Sequence, residues 1–111
     1  MAVTFTICVE RRGAATAVLL SGELDMATAP QVRARIDELI AAGDSRIVVD
    51  LHNLVFCDSA GLTAFIQGDK RCAEHGGWLR LSRPEGHVAR IMELSGVLPV
   101  LAYRADADSP D

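Results

Sequence analysis

Segments whose apolar residues recur at every second position alternate, along this chain, with segments whose apolar residues recur at helical spacing. A chain built this way folds as strands joined by helical crossovers, and such strands pair in parallel. Val3, Phe5, Ile7 and Val9 alternate with Thr4, Thr6 and Cys8, which predicts a half-buried strand with Cys8 on its polar phase. A turn at Arg11-Arg12-Gly13 leads to a second strand over residues 15–20, so the first two strands form a hairpin. Gly22-Glu23-Leu24-Asp25 then leaves the sheet. Thr28 stands where a helix cap is needed, and Pro30 follows in the first turn, where its missing N–H costs nothing. Val32, Ile36, Leu39 and Ile40 share one helical face, and Gly43 closes that helix.

Ile47-Val48-Val49-Asp50-Leu51 is apolar on nearly every position, as expected of a central strand covered on both faces. A second helix follows Ser59, with Leu62, Phe65, Ile66 and Cys72 or Ala73 as its buried stripe and Gly76-Gly77 at its end. Trp78, Leu79 and Leu81 predict a fourth strand, with Trp78 at a sheet edge. Pro84 opens a third helix with Val88, Ile91, Met92 and Leu94 inward, and Gly96 stops it. Val100, Leu101 and Tyr103 predict a final strand. The order β-β-α-β-α-β-α-β gives an α/β fold: a mixed, mostly parallel sheet with helices packed on it.

At 111 residues the chain holds one domain, expected over residues 1–104, with 105–111 as a short acidic tail. Aromatics are only 5%, so aliphatic side chains build the core. The net charge of −4 is spread over both halves, and without a basic half the chain is not expected to bind nucleic acid directly. No apolar run is long enough to predict a membrane span, and the N-terminus lacks the basic and apolar regions of a signal peptide. Three cysteines without a CxxC argue against a disulfide framework and for a reducing, cytoplasmic setting.

In folds of this class, sites lie just beyond the carboxyl ends of the strands. Two segments meet that condition, Gly22–Asp25 and Phe56–Gly61. In the second, Ser59 stands where an apolar run gives way to a helix. One reading is that Ser59 or Asp58 simply caps the helix. The other is that Ser59 is a phosphate acceptor, because a helix N-terminus tolerates an anion and phosphorylation adds roughly −1.5 to −2 charges at one surface point. Ala60 and Gly61 leave the backbone uncrowded for an approaching protein. Other chemistries fit less well. A serine hydrolase elbow wants Gly two residues before the serine, where Cys57 stands, and His52, His75 and His87 have no evident pairing with Ser59. Cys57 reads as a small buried hydrophobe. Cys72 and His75 form half of a metal-ligand spacing without a second pair, no phosphate-binding glycine motif occurs, and Arg80, Arg83 and Arg90 read as solvated surface. No metal or cofactor is expected.

Gly22-Glu23-Leu24-Asp25, the strand at 47–51, Asp58-Ser59-Ala60-Gly61-Leu62 and Gly77-Trp78-Leu79-Arg80-Leu81, in this order across residues 3–103, resemble the STAS domain. The nearest subgroup is the stand-alone bacterial anti-sigma factor antagonists. The resemblance implies a non-enzymatic partner switch. The unphosphorylated antagonist binds an anti-sigma factor that is also a serine kinase, phosphorylation releases it, and a phosphatase resets it. By position, the implied acceptor is Ser59, and the implied partner-binding residues are Asp25, Asp58, Ser59, Ala60, Gly61 and Thr63. Ala60 and Thr63 depart from the family pattern, where Ser or Thr and Gly are common. A final helix common in the family has no counterpart in the short acidic tail, so the edge it would cover is left open or taken by a partner. The alternative reading is a STAS interaction subunit of a membrane transporter of the lipid-transport ABC type.

Overall fold

Gly13 and Ala14 form the two-residue loop that starts the sheet, with Gly13 at φ 62°. A positive φ at this place suits the twist of a tight hairpin. The computed structural model describes residues 4–103. The loop joins β1 (Thr6–Arg12) to β2 (Ala15–Leu24) in antiparallel register, with Arg12 opposite Ala15. Arg11 and Arg12 are therefore strand residues rather than turn residues. α1 (Ala29–Ala41), β3 (Arg46–Cys57), α2 (Ser59–Ala73), β4 (Trp78–Ser82) and α3 (Gly86–Ser95) come next. The sheet order is β1-β2-β3-β4, and β2–β3 and β3–β4 are parallel. The mixed, mostly parallel α/β fold expected from the periodicity is present.

The last segment differs in detail. Val97–Leu101 closes as one helical turn, α4 (Leu98–Leu101), with Pro99 in its first turn. The final strand shrinks to a single parallel bridge between Ala102 and Leu81. Val3 and the expected tail at 105–111 lie outside the described residues.

The core lies between the sheet and the helices. Val18 and Leu20 of β2, Ile47, Val49 and Leu51 of β3, and Leu79 and Leu81 of β4 belong to one buried cluster with Val32 and Ile36 of α1, Phe65 of α2, and Val88 and Met92 of α3. Each such side chain contributes about 1.5–3 kcal/mol on leaving water. The buried stripe of α2 is Gly61, Ala64, Phe65, Gly68 and Cys72, not the larger Leu62 and Ile66; Ile66 is exposed. These small residues let α2 approach the sheet closely. Leu94 is 77% exposed rather than inward, Val9 is exposed near the hairpin, and Cys8 is exposed on the polar phase of β1. Leu62, Ile66, Val97 and Val100 line an open apolar groove of about 320 Å³ beside α4.

Two irregularities in the β2–β3 pairing position the functional end. Register shifts fall between Leu19/Ser21 and Gly22/Glu23. The β3 residues that belong to the main core cluster accordingly run 47, 49, 51 and then 54, 57. Such bulges bend a strand and redirect the chain beyond it. They also carry β2 through Leu24, so Gly22-Glu23-Leu24 stays in the sheet instead of leaving it.

Candidate functional site

Leu24 and Cys57 are the last paired residues of β2 and β3, and the Asp58 N–H donates to the Leu24 carbonyl at 3.2 Å. The loop that contains Asp25 and the start of α2 therefore leave the sheet side by side. Asp58 is the N-cap of α2. Its Oδ1 accepts from the N–H groups of Ala60 at 2.9 Å and Gly61 at 3.3 Å. Two of the helix's orphan donors are thus satisfied by one carboxylate. Ser59 is the first helical residue, exposed, and its hydroxyl makes no hydrogen bond among the described residues. The capping reading of the segment holds, with Asp58 rather than Ser59 as the cap, and the Ser59 hydroxyl is left without a partner among the described residues.

Asp25 plays a similar part at α1. Its Oδ1 accepts from the N–H groups of Ala27 at 2.9 Å and Thr28 at 3.2 Å. Thr28 occupies the cap position but does not cap with its hydroxyl; that hydroxyl donates to the Glu23 carbonyl at 3.0 Å and accepts from the Asp25 N–H at 2.9 Å. Pro30 sits in the first turn as expected. Both carboxylates beside Ser59 are therefore held by backbone donors, half-buried and turned to local structure.

Gly61 is buried, and a Cβ there would lie 2.7 Å from both Cys57 Sγ and Leu24 Cδ2. Its missing side chain seats α2 against the strand ends from beneath rather than opening the surface above. Thr63 is exposed one turn further on, and Ala60 is half-buried. Cys57 is buried, and burial, reinforced by the Asp58 charge, pushes its thiol up to about 12, which keeps it protonated and unreactive. Burial likewise pushes the Cys72 thiol up to about 11.

The fold brings further residues to the site that local patterning does not single out. Phe56, Leu62, Ile91 and Leu94 form an open apolar hollow of about 500 Å³ next to Ser59. His87 shares it, stacked on Phe56 with ring centroids 5.3 Å apart. Met26, in the Asp25 loop, is 79% exposed, and Val55 is 59% exposed. Ser59 thus borders an open hollow with a largely apolar lining, of which Leu94 is the most exposed apolar member.

Residues 7–101 match the family described as Mlab, STAS domain. The chain belongs to the STAS family. It is 35% identical over 85 residues to the anti-sigma F factor antagonist of Paenibacillus polymyxa, which covers 76% of this chain and 73% of that one. An anti-sigma factor antagonist structure from Mycobacterium paratuberculosis superimposes with a TM-score of 0.75 at 26% identity, over 95% of this STAS chain and 91% of that one. SpoIIAA in its unphosphorylated form superimposes with a TM-score of 0.76 over 92% of each chain at 24% identity, a likeness of fold. The relatives from Paenibacillus polymyxa and Mycobacterium paratuberculosis are both anti-sigma factor antagonists. No described helix is long and apolar enough to cross a membrane.

Proposed function

We propose that this STAS protein is the antagonist in a phosphorylation-controlled partner switch. With Ser59 bare, it binds an anti-sigma factor serine kinase through Asp25, Asp58, Ser59, Ala60 and Thr63, with Gly61 holding the start of α2 in place. The kinase transfers the γ-phosphoryl group of ATP to Ser59 Oγ, the hydroxyl proton leaves, and ADP is released. The added dianion breaks the docking. A phosphatase hydrolyses the ester with water and resets the switch.

The observation that carries this reading is the Ser59 hydroxyl: exposed, unbonded, and set among apolar surface at the first residue of α2. Inside the domain, two effects on a phosphate oppose each other. The helix N-terminus favours it, and the adjoining Asp58 carboxylate repels it. At the interface nothing offsets the cost of desolvating the dianion next to Leu94 and Phe56. The switch therefore acts on docking rather than on the fold. Phosphorylated SpoIIAA is a solved state of a protein with the same fold, at 24% identity and a TM-score of 0.67.

Intact-mass measurement after incubation with the kinase and ATP tests the assignment. One phosphate is expected on the native chain and none on Ser59→Ala; a phosphate retained by Ser59→Ala refutes it. In calorimetry Ser59→Ala binds the kinase like the native chain, whereas Ser59→Asp binds at least ~tenfold more weakly. Co-purification with a membrane ATPase instead of a soluble kinase would favour the transporter-subunit reading.

A further inference from the structure

Val48, Asp50 and Ser82 alternate along their strands with the core residues Val49, Leu51 and Leu81, so they face the side of the sheet away from the main core. On that side lies a hollow of about 210 Å³ lined by Arg12, Ala15, Val48, Ser82, Arg83 and Tyr103. Three independent features mark it as more than a surface dip. First, Ser82 Oγ is buried at the hollow and has no hydrogen-bond partner among the described residues. A buried hydroxyl without a partner is costly, and native structures satisfy nearly all such groups.

Second, two guanidiniums are held in place there by a carboxylate that is itself 1% exposed. Asp50 Oδ2 accepts from Arg83 Nη2 at 2.7 Å and from Arg12 Nη2 at 3.1 Å; Oδ1 accepts from Arg83 Nε at 3.3 Å and from the His52 N–H at 3.0 Å. Arg12 Nε donates to Glu10 Oε1 at 3.0 Å. The Nη1 group of each arginine keeps its donors free among the described residues. Third, Arg83 takes φ 55°, the only non-glycine residue described with a positive φ. An arginine is strained in that region, and such strain gathers where a side chain must be aimed.

The geometry points to a binding site for a small monocarboxylate with an apolar or aromatic body. The carboxylate accepts from the free guanidinium donors and from the Ser82 hydroxyl, while Ala15, Val48 and the Tyr103 ring receive the body. The charge balance argues against larger anions. Asp50 and Glu10 offset Arg12 and Arg83, so no surplus positive charge remains for a polyphosphate, and hydrogen bonds do the recognition. The site is separate from the phosphate-acceptor site: Val48 and Cys57 are nine residues apart on β3, about 30 Å at a strand's rise.

Benzoate is the probe, and amide NMR of the full chain is the readout. Titration is expected to give saturable shifts centred on Ser82, Arg83 and Val48. Benzamide, which has the same shape without the charge, and inorganic phosphate should each bind at least tenfold more weakly. Ser82→Ala should melt at the same temperature as the native chain or higher, because it removes an unpaired hydroxyl, yet bind benzoate about tenfold more weakly. Scattered or absent shifts, benzamide binding as well as benzoate, or unchanged binding by Ser82→Ala would each overturn the assignment. The native-chain comparison of benzoate with benzamide decides the matter even if the variant folds poorly.

Discussion

Asp50 and Asp58 stand on the same path, one in the middle of β3 and one just beyond its end, and their carboxylates do opposite work. Asp50 is almost fully buried and is bonded to side chains: Arg12 comes from β1 and Arg83 from the segment after β4, so its charge ties both edge strands to the centre of the sheet. Asp58 is half-buried and bonded to backbone, and its charge only starts a helix. The middle of the sheet thus depends on ionisation, while the end that presents Ser59 depends on local geometry. A domain divided this way can gain or lose charge at the end that presents Ser59 without disturbing the charges that hold its strands together.

The largest expected effect belongs to Asp50. Asp50→Asn keeps the shape and removes the charge that both arginines face. Losing a partner in a fully buried pair costs about 3–5 kcal/mol; here the arginines reach solvent, so the loss should be roughly 2–3 kcal/mol by urea denaturation. The same pair sets a pH signature. Burial alone would push the Asp50 carboxyl up, but the bonds from Arg83, the His52 N–H and Arg12 outweigh it and hold the group below its ordinary value of 3.8. A depressed carboxyl stabilises the fold above its unfolded-state value and loses that contribution as pH falls through the folded-state value. The gap in melting temperature between the native chain and Asp50→Asn should therefore be full near neutrality and narrow below pH 3.8. A constant gap down to strongly acid pH would mean that packing, not charge, is what Asn fails to replace.

Effects at the Ser59 end should be smaller. Gly61→Ala places a methyl against Cys57 Sγ and Leu24 Cδ2. Overpacking of this kind costs about 1–3 kcal/mol, and the better helix propensity of Ala returns part of it, for a net loss of about 1–2 kcal/mol. Asp58→Ala removes the cap from α2 and should cost about 1 kcal/mol, with little dependence on salt because backbone donors, not ions, are its partners. If Asp58→Ala proved as costly as Asp50→Asn, the division between an ionic middle and a geometric end would fail.

Much of this was legible in the sequence because period and punctuation agreed. The strand–helix order, the hairpin, Pro30 in the first turn of α1 and the junction at Asp58-Ser59 all come from rules that span a few residues. What misled was size. In α2 the positions 61, 64, 65, 68 and 72 form a clean helical stripe, but Gly, Ala and Cys fill most of it, so the larger Leu62 and Ile66 dominate the apolar pattern of the sequence. Leu94 was readable in principle: at about 100° per residue it lies about 120° around α3 from Val88, off the buried face that Val88 and Met92 define. Asp50 could not be read at all. Its partners, Arg12 and Arg83, come from distant segments, and only the folded sheet brings them over it.

The smallest expected effect is also the most informative about the division. The Ser59 hydroxyl makes no hydrogen bond among the described residues and the residue is exposed, so Ser59→Ala removes nothing that the fold uses. Ser59→Asp adds a charge that the start of α2 attracts and Asp58 repels, two terms of a few tenths of a kcal/mol with opposite sign. Both variants should stay within about 0.5 kcal/mol of the native chain, under about 4 °C in melting temperature for a domain of this size. Set beside an unchanged fold, a tenfold loss of kinase binding in Ser59→Asp would locate the whole response at the interface. A destabilisation of about 2 kcal/mol in Ser59→Asp would instead mean that added charge reaches the sheet, and the Ser59 end would no longer be electrically separate from the ion pairs around Asp50.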